Sequence, residues 1–241
     1  MGLDIAVGLL SSVMAEGSSD EIALFSSIFE NLNNVLIDAG EEPHNEPKTL
    51  EVEPPFEAQM WGYGGLHRVR RLAAYQHFES ALPPPSDRDD ALIDDPVLSQ
   101  FYVELDSHMS QRGRGLSGGL LRRASPLLPF QHLMMHSDSE GFYLPRSMNR
   151  VIFDVNQPQL EGVGGMVGSA ENLLEECRFL ARTINLPMDF DPQSEEIWEA
   201  ADLGNSPSEL WHQYGVESFC LTVLMRACEA SLETQAAVAF C

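Results

Sequence analysis

Basic residues are scarce in this chain of 241 residues. Only 14 lysines and arginines stand against 37 aspartates and glutamates, which gives a formal net charge of −23. A surface of this sign repels phosphate backbones and anionic lipid headgroups. We therefore expect no binding to nucleic acid or to membrane surfaces, and a basic protein becomes the natural class of partner. The alternative is that the acidity serves only to keep the protein soluble.

The sequence also lacks the features of export and membrane insertion. Its first residues contain no basic stretch followed by a long apolar one, so they do not resemble a signal peptide. No window approaches the roughly 18 consecutive apolar residues that a membrane-spanning helix needs. The cysteines show no C-x-x-C spacing, and we expect them to be reduced and mostly buried: Cys177, Cys220, Cys228 and Cys241. Together these absences predict a cytoplasmic protein.

Familiar catalytic and nucleotide-binding motifs are missing as well. No G-x-S-x-G elbow occurs, and the glycine-rich stretch 162–168 (GVGGMVG) has no lysine before Ser169, as a Walker A loop would. Val167 stands where G-x-G-x-x-G requires its third glycine. We interpret the stretch as a tightly packed turn from a strand into a helix, with Ser169 as the helix N-cap.

Several helices are well marked. Ser18 and Glu21 form the capping-box pattern S-x-x-E, apolar residues follow at helical spacing, and Gly40 is placed to end the helix. Val216–Val238 is rich in apolar residues and predicts a long, largely buried helix. The strand signals are fewer and weaker. The pattern predicts a helix-dominated α+β fold, in which several amphipathic helices pack with a small sheet.

The length suits one globular domain over residues 1–241. The stretch 83–90 (PPPSDRDD) is stiff at its prolines and charged afterwards, so it marks a place where the chain could divide in two. No feature of the sequence fixes an oligomeric state.

A small basic island interrupts the acidic chain. Arg68, Arg70 and Arg71 follow a glycine-rich turn and lie off the apolar stripe of a predicted helix. We expect these arginines to pair with nearby carboxylates on a solvated helix face.

The stretch Gln131–Pro145 (QHLMMHSDSEGFYLP) carries the densest chemistry. On a helix, His132 and His136 would share one face, and Asp138 follows two residues later. Two imidazoles and a carboxylate are ligands that a catalytic zinc or iron ion uses. This pattern supports one hypothesis, a metal-dependent hydrolase centred on His132, His136 and Asp138.

The same residues also have a structural interpretation. H-x-x-x-H lacks the glutamate of H-E-x-x-H, and Pro129 limits any helix here. In that case the side chains hydrogen-bond the turn that sends the apolar run after Gly141 into the core. Under either interpretation the candidate binding residues are His132, His136, Asp138, Glu140 and Tyr143.

The preferred hypothesis follows from the charge alone. It is an acidic cytosolic binding protein that engages a basic protein and needs no cofactor. In class and charge the chain resembles bacterial immunity proteins, which are small, acidic and neutralise toxins. That resemblance implies a protein–protein interaction as the function. The metal-dependent hydrolase, with zinc or iron, is the alternative.

Overall fold

The computed structural model describes residues 4–51, 56–85, 92, 94–113, 128–136, 140–153, 163–203 and 209–240. Within these ranges the chain forms eight α-helices and one mixed sheet of six strands. The prediction of a helix-dominated α+β fold is confirmed. In chain order the elements are β1 (Asp4–Val7), α1 (Leu9–Glu16), α2 (Ser19–Ala39), β2 (Glu57–Gln59), α3 (Gly62–Phe78), α4 (Pro96–Gly113), α5 (Gln131–Met134), β3 (Gly141–Leu144), β4 (Ile152–Phe153), β5 (Met166–Ser169), α6 (Ala170–Thr183), α7 (Glu195–Leu203), α8 (Gly215–Thr234) and β6 (Val238–Phe240).

The strand order in the sheet is β2-β1-β6-β3-β5-β4, so β2 and β4 lie at its outer edges. β3 and β5 run parallel, with Phe142 opposite Val167. The other neighbouring strands are antiparallel. The last strand of the chain, β6, therefore lies inside the sheet between β1 and β3, and it ties the two ends of the described chain together.

Alternate side chains of the strands feed two apolar clusters, one on each face of the sheet. Tyr143, Met166 and Val238 join the cluster that contains buried residues of α3, α4, α6 and α8. Phe142 and Val167 join the cluster formed with α1 and α2. Because both faces are covered, the central strands are apolar throughout and do not show the polar alternation of a half-exposed sheet.

The start of α2 confirms the predicted capping box. The Glu21 N–H donates to the Ser18 hydroxyl at 3.3 Å, and the Ser18 N–H donates to the Glu21 carboxylate at 2.7 Å. The helix ends at Gly40, which adopts the left-handed conformation with φ of 79°. Ser169 likewise caps α6, where its hydroxyl accepts the Asn172 N–H at 3.0 Å.

The predicted C-terminal helix is wrong at its end. α8 stops at Thr234, Gln235 takes a positive φ of 60°, and the apolar residues that follow form β6. A short apolar run fits a buried strand as well as a buried helix, and only its place between two other strands decides the matter.

The single-domain prediction and the division near 83–90 stay predictions, and residues 86–90 lie outside the described part. Among the described helices, none is long and apolar enough to cross a membrane.

Leu224 of α8 tests the core. Its side chain is only 1% exposed, so Leu224→Asp buries an unpaired charge, and we expect the variant not to fold. The matched control is Val103→Asp on α4, where the apolar side chain is 67% exposed. Thermal melting followed by circular dichroism checks both variants. An unchanged melting temperature for Leu224→Asp would mean that α8 is peripheral.

Candidate functional site

The stretch singled out in the sequence folds around α5, a helix of a single turn. Glu176 of α6 accepts the backbone N–H groups of His132 at 3.1 Å and Leu133 at 2.8 Å. These donors have no partner within a helix this short, so a carboxylate from another element satisfies them. The carboxyl group is buried beneath α5, which raises the pKa of Glu176 to about 8, while the two N–H groups act to lower it.

Arg70 of α3 holds the other end of α5. Its guanidinium donates from Nε to the Leu133 carbonyl at 3.2 Å and from Nη2 to the His136 carbonyl at 2.7 Å. A carboxylate at the N-terminus and a cation at the C-terminus both complement the helix dipole. Side chains 43 and 63 residues away in the sequence therefore position this turn.

Both histidines of the stretch are buried. The Nδ1 atom of His132 accepts the Ser169 N–H at 3.1 Å, so this nitrogen carries no proton. Burial lowers the pKa of His132 to about 4, opposed by the neighbouring Met148 backbone. The His136 ring packs at 4.1 Å from the Phe240 ring centroid and 5.7 Å from that of Tyr143. Burial also holds the pKa of His136 well below its usual range.

The five candidate binding residues thus lie in different environments. His132, His136 and Tyr143 lie in the interior, where the Tyr143 hydroxyl donates to the His132 carbonyl at 2.6 Å. Glu140 is exposed, and Asp138 lies outside the described residues. The idea of one helix face shared by the two histidines fails, because α5 ends at Met134.

Metal binding by His132, His136 and Asp138 stays a prediction. Within the described residues, no group of three or more His, Cys, Asp or Glu side chains could hold a metal ion. The described contacts of the two histidines are those of packing and hydrogen bonding.

The expectation for the basic island is wrong. Arg68, Arg70 and Arg71 are buried, between 2% and 7% exposed, and do not lie on a solvated face. Arg71 does pair with a carboxylate, that of Asp95 at 2.6 Å, but this pair is inside the protein. α3 packs against both α4 and α8, and Arg70 reaches the backbone of α5, so the sides of α3 that carry these arginines are covered too.

Most of the remaining described arginines bind the backbone or a carboxylate; Arg178 pairs with Glu229 at 3.0 Å, while Arg182 is exposed. Arg146 donates to the Glu42 carbonyl at 2.6 Å, and Arg150 to that of Ala39 at 2.8 Å. Arg226 donates to the Phe190 carbonyl at 3.0 Å and pairs with Glu229 at 2.6 Å. Arg146, Arg150 and Arg226 thus hold loops and helix ends in place through bonds to backbone carbonyls.

The consequence is that the described surface carries almost no positive charge. Among the side chains that the structure describes, 23 carboxylates are exposed against two cations, Lys48 and Arg182. Lys48 is the one lysine of the chain. Two long stretches contain no lysine or arginine at all: residues 1–47, with nine acidic residues, and residues 183–225, with eight. The absence of lysine and arginine from these two stretches is visible in the sequence. It indicates the acidic surface, which the pattern of histidines does not.

Within the second stretch, α7 presents its carboxylates as a ridge. Ile197, Ala200 and Ala201 are buried against the core, while Glu195, Glu199 and Asp202 recur at i, i+4 and i+7 on the exposed side. No cation of the described part of the chain pairs with them. α7 lies close to α8 because Gly215 has no side chain there: a Cβ at this position would overlap the Ala200 carbonyl oxygen.

A helix-dominated fold with a cation-poor surface defines an acidic interaction protein. The comparison with family models agrees: residues 1–240 match the model of a family described as "Putative DNA-mimic protein". The chain belongs to this family. Comparison with curated proteins and with solved structures found no match.

This family corrects the predicted partners. The expectation that nucleic acid has no part among the partners is wrong, because membership of a family described as DNA mimics implies a partner that binds DNA, whereas the expected basic protein partner is compatible with it. Repulsion between carboxylates and phosphate concerns direct binding to nucleic acid and does not address a protein that mimics nucleic acid.

Glu176 predicts a pH-dependent stability. Its folded pKa of about 8 lies above the ordinary 4.5, so folding takes up protons between these values and stability falls as pH rises. His132, with a folded pKa of about 4 against 6.5, acts in the opposite direction, but only below pH 6.5. Between pH 6.5 and 8 we therefore expect wild-type stability to fall relative to Glu176→Gln, which does not titrate.

Urea unfolding at the two ends of this window measures the effect. The exposed neighbour Glu175→Gln is the control and should keep the wild-type slope. Parallel stability curves for wild type and Glu176→Gln would contradict the assignment.

His136→Ala separates the structural from the metal interpretation. The substitution removes a buried ring and its contacts, which we expect to cost about 1–3 kcal/mol of stability. Chemical denaturation measures this loss, and elemental analysis of the purified protein is expected to find no stoichiometric zinc or iron in either form. One bound metal per chain that the substitution removes would establish the metal site instead.

Proposed function

We propose that the protein occupies the DNA site of a DNA-binding protein, using the ridge of α7 in place of a phosphate backbone. The observation that carries this proposal is the exposed charge, 23 carboxylates against two cations in the described surface. Membership of the DNA-mimic family supports the same conclusion.

The spacing of charge along α7 suits this role. Its four exposed carboxylates, which are the three of the ridge and Glu196 on the adjoining face, lie within seven residue steps. At about 1.5 Å per residue this is about 10.5 Å of helix axis, or one charge per about 3.5 Å. One strand of B-DNA carries a phosphate per about 3.4 Å of its axis. A row of lysines and arginines that fits one strand therefore meets a similar density of charge on α7.

The placement of the arginines supports the proposal as well as the exposed carboxylates do. An exposed arginine beside the ridge would neutralise part of it and repel the cations of the partner. With most of its described arginines bonded to backbone carbonyls or carboxylates, the described surface keeps a predominantly negative field that steers a basic partner toward it. The partner class is then a protein whose Lys/Arg surface normally contacts phosphate.

Two alternatives, acidity that serves only solubility and an immunity-like role, make different predictions from this proposal. If the acidity served solubility alone, the position of the carboxylates would not matter. An immunity-like role against a toxin would also use an acidic surface, but it would not require competition with DNA. An experiment that varies position at constant charge, with DNA as competitor, addresses both.

The test uses proteins of the source cells bound to immobilised duplex DNA. We expect the protein to release a subset of them, and the triple variant Glu195→Gln, Glu199→Gln, Asp202→Asn to need about tenfold more protein for the same release. Three exposed contacts at about 0.5 kcal/mol each give about this factor.

The matched control neutralises three exposed carboxylates elsewhere, with Glu30→Gln, Glu79→Gln and Asp106→Asn. It has the same net charge as the α7 variant and should release proteins as wild type does. If both variants lost the same amount of releasing activity, net charge alone would explain the effect and the position of the carboxylates would not matter. If the wild-type protein released no protein from the DNA, the proposal would be refuted.

A further inference from the structure

The outer strand β2 leaves hydrogen-bonding groups directed away from the sheet. The Val7 N–H donates to the Phe56 carbonyl at 2.9 Å, and Ile5 lies opposite Ala58. In an antiparallel ladder, alternate residues bond to the same neighbour. The backbone N–H and C=O groups of Glu57 and Gln59 therefore point outward, and in the described part of the chain no strand lies beyond them.

A groove of about 1410 Å³ runs along this edge, with walls from α1, from residues 191–193, from α7 and from α8. Part of its lining is apolar: Leu50, Phe56, Trp198, Phe219 and Val223. The Trp198 side chain is 43% exposed although its ring lies 4.6 Å from that of Phe219. An exposed tryptophan at the side of a groove is typical of a residue that binds a partner.

The charged residues of the groove have a single sign. Asp4, Glu16, Glu57 and Asp191 line it, and no lysine, arginine or histidine does so among the described residues. Three of these carboxylates come from the N-terminal half and Asp191 comes from the stretch 183–225. The fold thus brings the two cation-free stretches of the sequence to the same groove.

We propose that this groove binds a basic, extended peptide segment of a partner protein, which adds a strand to the edge of β2. The backbone of the peptide would pair with Glu57 and Gln59, while its Lys or Arg side chains face the carboxylates. Alternate apolar side chains of the peptide would lie on Phe56 and Trp198. A strand added to an exposed sheet edge gains affinity from main-chain hydrogen bonds and specificity from alternate side chains.

This inference goes beyond the proposed function, because it concerns a flexible basic arm in the groove rather than a folded DNA site on the ridge; the two surfaces meet at α7, which carries both Trp198 and the ridge. The two can fail separately. A peptide could bind the groove of a protein whose α7 does not replace DNA, and the converse also holds.

The probe is a fluorescein-labelled peptide of alternating lysine and valine, and binding is followed by fluorescence anisotropy. We expect saturable binding of one peptide per chain. Gln59→Pro should weaken it at least tenfold, because proline removes an outward N–H that the fold itself does not use. Trp198→Ala should weaken it as well, and the triple variant Glu30→Gln, Glu79→Gln, Asp106→Asn, whose residues do not line the groove, should bind as wild type does.

A control peptide, the two single variants and a measurement of oligomeric state can each contradict the proposal. A lysine–serine peptide of equal charge should bind more weakly, and equal binding would show that charge alone is read. Unchanged affinity in both Gln59→Pro and Trp198→Ala would overturn the proposal, and if Gln59→Pro fails to fold, Trp198→Ala decides. Wild-type dimers that Gln59→Pro dissolves in sedimentation velocity would assign the edge to a second copy instead.

Discussion

Repulsion among its own carboxylates is the constraint on which this structure depends. With a net charge of −23, each cation is needed to reduce the repulsion among the carboxylates. Cations exposed on the surface, however, would weaken its negative field. The fold eases this conflict by bonding most of its described arginines to carbonyl oxygens or carboxylates. Arg70 holds the end of α5, and Arg71 pairs with Asp95 inside the protein. Among the described side chains, most positive charge is thereby neutralised and most carboxylates remain exposed.

This division of charge connects the core to the surface. α8 is buried along most of its length and supports α7, whose close approach depends on Gly215. The acidic ridge is therefore carried by a helix whose other face is packed on the core. β6 lies between β1 and β3, so the sheet that carries the groove is joined to the end of α8.

Local signals in the sequence were read correctly, and long-range ones were not. The capping box of Ser18 and Glu21 depends on neighbours and was predictable, as was the N-cap at Ser169. The stretch Gln131–Pro145 was recognised as important, but Glu176 and Arg70, which explain it, are far away in the chain. No periodicity shows that a distant carboxylate caps a one-turn helix. The net charge follows from composition, but repulsion alone gives no indication that the chain belongs to a family described as DNA mimics.

Hydrogen–deuterium exchange on a DNA-binding protein that the chain displaces tests the central claim most directly. The exchange of that protein is measured once with its DNA duplex and once with the acidic chain. If the chain takes the place of DNA, both ligands should protect the same lysine- and arginine-rich segments, and the α7 triple variant should lose that protection. Protection of separate segments by the two ligands would contradict the account.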